Sequence, residues 1–258
     1  MSVLRIALVQ AASGLDPVEN RGRLASLVPA DADLVVLPEA FARDFGEAGS
    51  DVSAFAEPVD GPFGTEVSDV ASARGCAVVA GMFEAGPDAE RPFNTVLVRG
   101  RVAAEYRKIH LYDSFGYRES DRLTAGSLTP VTVRLDGAWG AFTIGLMTCY
   151  DLRFPEHARA LVDAGADLIV VPAAWVAGER KVDHWRTLLR ARAIENTVFV
   201  AAAGQPAPRY TGHSMVVDPL GDVLAEAGDD ATVVRAEIDP EVVARARRTN
   251  PSLANRRL

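Results

Sequence analysis

Cys149 closes the apolar run GLMTC and is followed by Tyr150-Asp151-Leu152-Arg153, a turn, before the helix signal Phe154-Pro155-Glu156. A cysteine between strand and helix is presented to a ligand with unpaired backbone N–H groups beside it, the setting of a nucleophile. Cys76, inside RGCAVVAG, reads instead as a small buried hydrophobe. A thiol of pKa about 8.5 is only a few per cent thiolate at neutral pH, so Cys149 needs a base. Glu39, following the four apolar residues Leu34–Leu37 and a proline, is one candidate. Partial burial raises a carboxylate toward the range where it accepts a thiol proton, although a strand-end glutamate is ordinarily solvated. Histidine is the other: of His110, His157, His184 and His213, His110 and His213 could serve a Cys/His hydrolase. No two histidines have metal-ligand spacing and there is no CxxC, so zinc and dithiol redox chemistry are not indicated. Of 27 basic residues only Lys108 and Lys181 are lysines. Lys108, ending VAAEYRK, supplies a compact ammonium that a wide guanidinium does not replace. Aimed at a developing oxyanion, such a donor is worth ~3 kcal/mol. Lys181, among the charges of GERKVDHW, reads as solvated surface.

These residues stand at the ends of predicted strands. Leu4–Gln10, Asp33–Leu37, Cys76–Phe83, Asp167–Val171 and Val198–Ala203 are short apolar runs suited to buried strands. Phe93–Arg99 and Val102–Arg107 flank Gly100-Arg101 as a hairpin; Val131–Leu135 and Ala141–Thr148 pair across Asp136–Gly140. Ser214–Val217 and Val233–Ile238 complete the strands. Helices are expected after the Asp16 cap with Pro17 and Glu19 behind it, from Thr65 to Gly75, after Pro155, from Val182 to Glu195, and briefly after Asp239-Pro240. Alternation early and hairpins later predict an α/β layered domain with mixed sheets.

The chain also repeats itself. ADLVVLPEAF (Ala32–Phe41) and ADLIVVPAAW (Ala166–Trp175) agree at six of ten positions, each after a strand and a helix. Glu39 then corresponds to Ala173, and Cys149 falls opposite Ala11. The scaffold accepts alanine at both places, so packing alone does not call for a carboxylate or a thiol there. Both lie past the carboxyl ends of strands, where α/β sheets bind ligands.

The 258 residues are 48% hydrophobic and 24% charged, with mean hydropathy +0.07, enough to build a substantial core. A net charge of −8 argues against nucleic acid and anionic membrane as partners. The most apolar stretch, Leu168 to Ala177, is about half a membrane span. Two cysteines build no disulfide framework. The composition fits a soluble, cytoplasmic, single-domain protein over residues 1–258, with 245–258 as a C-terminal tail.

Glu39 in LPEAF, Lys108 in YRKIHLYD and Cys149 in GLMTCYDLRFPE resemble the Glu-Lys-Cys triad of the nitrilase superfamily of carbon–nitrogen hydrolases. RAIENTVFVAAA, GHSMVVDPLG and NPSLANRR are similar to further blocks of that family, so the resemblance spans nearly the whole chain. It implies a four-layer α-β-β-α sandwich, with the repeat as its pseudo-two-fold, that assembles as a homodimer or higher homo-oligomer. It implies a second glutamate, Glu119, to orient Lys108 or a water; the plain alternative pairs Glu119 with Arg118 or Arg122. In the implied mechanism Glu39 takes the Cys149 proton, the sulfur attacks an amide carbonyl, and Lys108 with the Tyr150 N–H holds the oxyanion. Ammonia leaves, and water hydrolyses the thioester. No cofactor or metal is implied. CYDLRFPE is similar to Nit-type amidases, which implies a small carboxylate-bearing amide as substrate, an ω-amide or a deaminated-glutathione-like acid. Arg153 then becomes a candidate carboxylate ligand, its rival partners being Asp151 and Glu156. Phe115, Tyr117, Tyr150, Ala174 and Trp175 are candidate pocket walls, with core packing the rival role. N-carbamoyl hydrolysis uses the same triad, while a Cys/His hydrolase through His213 and a non-catalytic assembly protein remain the alternatives from other classes.

Overall fold

Strand β1 (Leu4–Gln10) runs parallel to β2 (Leu34–Val36), and β2 runs parallel to β3 (Ala77–Glu84). Helices α1 (Pro17–Leu27) and α2 (Pro62–Arg74) make the two crossovers. The computed structural model describes residues 2–114 and 116–257. Asp16 caps α1 by accepting from the amides of Val18 and Glu19. Proline at the first turn suits both helices, since its fixed φ is helical and that position needs no N–H donor. For this reason α2 starts at Pro62, a turn ahead of the expected Thr65. It stops at Gly75, whose φ of 65° is the left-handed conformation glycine adopts without cost.

β4 (Phe93–Gly100) and β5 (Ala104–Arg107) extend the sheet as an antiparallel hairpin, and β14 (Thr232–Ile238) pairs antiparallel on the far side of β1. The order is β14-β1-β2-β3-β4-β5. A second six-stranded sheet repeats it. There β8 (Thr132–Gly137), β9 (Gly140–Leu146), β10 (Leu168–Ala173), β11 (Phe199–Gly204), β12 (Met215–Val217) and β13 (Val223–Glu226) lie side by side. Its crossovers are α3 (Pro155–Asp163) and α4 (Lys181–Asn196). A small hairpin, β6 (Asp113–Ser114) with β7 (Tyr117–Arg118), stands apart from both sheets.

The register makes the repeat exact in space. Ile6 is paired with Leu34 and Ile144 with Leu168, the leucines being equivalent in the two copies. Counting forward from Ile6 and Ile144 brings Ala11 and Cys149 to the same place.

Three buried clusters give the layers. Ile6, Leu34, Val96, Phe142, Ile144, Val170 and Phe199 fill the space between the sheets. Leu24, Phe63, Val67 and Val70 press α1 and α2 onto the outside of the first sheet. Leu161, Trp185, Leu189 and Ala193 press α3 and α4 onto the outside of the second. Each fully buried branched or aromatic side chain is worth about 1.5–3 kcal/mol, and strands buried on both faces read as continuous apolar runs. The result is the four-layer α-β-β-α sandwich. A last helix, α5 (Pro240–Thr249), joins the inter-sheet core through Val243 and runs past Arg245, into the stretch expected to be a tail. No helix among the described residues is long and apolar enough to cross a membrane.

Candidate active site

The carboxyl ends of the parallel strands deliver Glu39, just past β2, and Cys149, just past β9, to a common pocket of about 290 Å³. Lys108, next after β5, and Glu119, at the start of a short 3₁₀ turn, join them there. Glu39 is almost wholly buried and has both oxygens occupied. Its Oε1 accepts from Lys108 Nζ at 2.9 Å and from Asn94 Nδ2 at 2.8 Å; Oε2 accepts the Ala174 amide at 2.8 Å. Lys108 Nζ also donates to Glu119 at 2.9 and 3.1 Å, and Glu119 Oε2 accepts the Tyr112 amide at 2.5 Å. The Cys149 thiol lines the same pocket as this carboxylate and feels its charge. Thus one ammonium sits between two carboxylates, with the thiol beside one of them.

The electrostatics follow from burial. Burial opposes the charge on Lys108, yet the adjacent Glu119 and Glu39 outweigh it and hold the ammonium well above its ordinary pKa. Burial pushes Cys149 well up as well, helped by the Glu39 carboxylate and resisted by Lys108. Burial, with Glu39 close by, raises Glu119 despite its lysine partner. At neutral pH the lysine is charged and the sulfur is a thiol, so any attack by this sulfur would need a base to take its proton. Cys149 has φ 45°, a left-handed conformation rare outside glycine. The 3₁₀ turn Cys149–Arg153 follows immediately.

Tyr117, Tyr150, Ala174, Trp175 and Arg153 all line the pocket. Phe115 lies outside the described residues. Arg153 takes neither of its rival partners: its guanidinium stacks over Trp175, 4.8 Å from the ring centre, and its buried Nη2 has no hydrogen-bond partner. Asp151 is engaged elsewhere, by Tyr106 and His110. Arg118 pairs with Asp121 at 3.5 Å rather than with Glu119. Among the described residues no histidine lines the pocket. His213 lies between Glu226 and Asp229, at 3.0 and 3.1 Å.

One expectation is corrected. Lys181 is not solvated surface: it lines the pocket, with Nζ 3.4 Å from the Tyr112 hydroxyl and 5.8 Å from the Trp175 ring centre. The reason is positional, since it opens α4 directly beneath the strand-end loop that carries Trp175. Burial and the nearby Arg153 lower its pKa. Asn94, Tyr112, Arg209 and Tyr210 were not anticipated. Asn94 alone left a trace, as an amide side chain, beside Thr95, in the mostly apolar run FNTVLV.

The Carbon-nitrogen hydrolase family model matches residues 5–248. A protein named deaminated glutathione amidase from Escherichia coli O157:H7 is 38% identical over 237 residues, covering 91% of this chain and 88% of its own. The crystal structure of Saccharomyces cerevisiae Nit3, described as a member of branch 10 of the nitrilase superfamily, superimposes with TM-score 0.83 at 28% identity over 100% of this chain and 97% of its own. A CN-hydrolase superfamily protein of Xanthomonas campestris, XC1258, gives TM-score 0.87 at 32% identity, over 100% and 98%. Two mixed sheets, a repeat in exact register, and a glutamate, a lysine and a cysteine meeting at the strand ends accord with these matches: the chain belongs to the carbon–nitrogen hydrolase family and is a Nit-type member of the nitrilase superfamily.

Proposed function

We propose that the chain hydrolyses a small linear amide bearing a carboxylate, through a thioester on Cys149. The observation that carries the reading is the Glu39 carboxylate, which lines one pocket with Cys149 and acts on its thiol while being held by Lys108, Asn94 and the Ala174 amide. Glu39 accepts the thiol proton as sulfur attacks the amide carbon. The oxyanion forms against Lys108 Nζ and the Tyr150 N–H, an amide in the first turn with no acceptor inside the turn. The tetrahedral intermediate collapses, the C–N bond breaks, and Glu39 returns the proton to the departing ammonia. A water that Glu39 deprotonates then attacks the thioester, releasing the acid and restoring the thiol. Glu119 accepts from Lys108 Nζ and keeps the ammonium aimed, and one of these hydrogens turns to the oxyanion as it forms.

The substrate class rests on Arg153. A buried guanidinium nitrogen without a partner, in the same pocket as the nucleophile, favours a ligand carboxylate, which arginine binds with paired N–H donors. The deaminated glutathione amidase relative is consistent with such an acid.

The test is ammonia release from succinamate, glutaramate, propionamide, N-carbamoyl amino acids and propionitrile. The ω-amides are expected to be turned over best. Cys149→Ala abolishes release, and Arg153→Met raises KM for succinamate about tenfold or more while affecting propionamide little. Activity surviving in Cys149→Ala refutes the mechanism; preference for propionamide or N-carbamoyl compounds refutes the substrate class.

A further inference from the structure

Behind the pocket, one buried carboxylate holds both flanks of Lys108. Asp151, third residue of the turn that Cys149 begins, is completely buried. Its Oδ1 accepts from the His110 amide at 3.0 Å and lies 2.8 Å from His110 Nδ1. Its Oδ2 accepts from the Tyr106 hydroxyl at 2.6 Å and the Thr148 amide at 2.9 Å. Tyr106 and His110 stand two residues before and after Lys108, and Thr148 immediately precedes Cys149.

Four donors on two oxygens require the ionised form, and they require His110 to carry its proton on Nδ1. Burial alone would neutralise Asp151, but the His110 hydrogen bond leads the interactions that hold it below the ordinary carboxylate range. The nearby His157 adds to the lowering behind the His110 hydrogen bond, although burial lowers the pKa of His157 itself, whose Nε2 lies 3.2 Å from the Leu146 carbonyl. Burying an ion contributes little to folding that an apolar side chain could not match. What an apolar side chain could not do is join these two segments at fixed distances.

We propose that Asp151 is a positioning residue that sets the Lys108 ammonium against the Cys149 sulfur, by binding Tyr106 and His110 on one segment and Thr148 on the other. The inference rests on the roles given above to Lys108 and Cys149. Misplacing reacting groups by about 1 Å costs on the order of 100-fold in rate, so the effect belongs in kcat rather than in substrate binding.

Steady-state kinetics on succinamate test it, with circular dichroism and the unfolding midpoint recorded for each variant. Tyr106→Phe removes one hydrogen bond and keeps the ring; kcat is expected to fall about tenfold with KM within about twofold. His110→Ala is expected to lose about tenfold or more in kcat, and His110→Asn, whose amide nitrogen reaches the place of Nδ1, to recover most of it. Asp151→Asn, which turns two donors against an amide nitrogen, is expected to lose about 100-fold. Should Asp151→Asn not fold, the Tyr106 and His110 variants decide. Folded Tyr106→Phe and His110→Ala enzymes with wild-type kcat, or with KM rising as kcat stays, overturn the positioning role while a dead Cys149→Ala leaves the triad standing. An active Cys149→Ala overturns both.

Discussion

Lys108 holds its charge where bulk water does not reach it, between Glu39 and Glu119. Removing it while preserving volume exposes what it balances. Lys108→Met is expected to cost about 3–5 kcal/mol of stability, because two carboxylates stay buried with no cation between them. Chemical denaturation measures this; a loss below about 1 kcal/mol would show that water reaches the carboxylates. The same variant should lose at least about 100-fold in kcat through the missing oxyanion contact. The lysine stood out in sequence because arginine fills nearly every other basic position, and its neighbour Glu119 stood out only through resemblance. Lys181 was misread for a physical reason: its local company in GERKVDHW is charged, while what surrounds it in space is Trp175 and Tyr112.

At the scale of elements, the ends of β2 and β9 fix Glu39 and Cys149, and neighbouring strands fix those ends. Gly81, in β3, runs against the Glu39 backbone. A β-carbon there would lie 2.5 Å from the Ala40 nitrogen and 3.0 Å from Glu39 Cα, too close to be accommodated without moving Glu39. Gly81→Ala is therefore expected to lose about 1–3 kcal/mol of stability and on the order of 100-fold in kcat. Wild-type kcat in the folded variant would mean that the Glu39 segment yields freely. The buried strands were legible because each is apolar along its whole length, and the repeated ADLVVLP and ADLIVVP runs marked two similar β-α-β units. β13 was not: its VLAE is mostly exposed and lacks a buried face, so no hydrophobic period marks it. The β6–β7 hairpin is two residues to a strand, shorter than any pattern can register. Asp151 read as a turn residue, since its partners Tyr106 and His110 are some forty positions away in sequence.

For the whole molecule, the four layers bury groups that hold protons more tightly folded than unfolded. Burial raises Tyr106, Cys149 and Cys76, and for Lys108 the carboxylates outweigh the opposing effect of burial. A raised folded pKa contributes stability in full below the unfolded value and loses it as pH climbs toward the folded one. The unfolding midpoint is therefore expected to drop from about pH 8 to about pH 10, with the thiols leading. A flat or rising midpoint over that interval would mean that the sulfurs and the phenol reach water in the folded chain. The fold's purpose in this account is to keep one thiol protonated, dry and beside a carboxylate until an amide arrives. Acid quenching during turnover of succinamate, followed by peptide mass mapping, examines that most directly. A succinyl mass on the peptide holding Cys149, with Cys76 unmodified, is the predicted result; ammonia released with no acyl group on Cys149, or with one carried elsewhere, would contradict it.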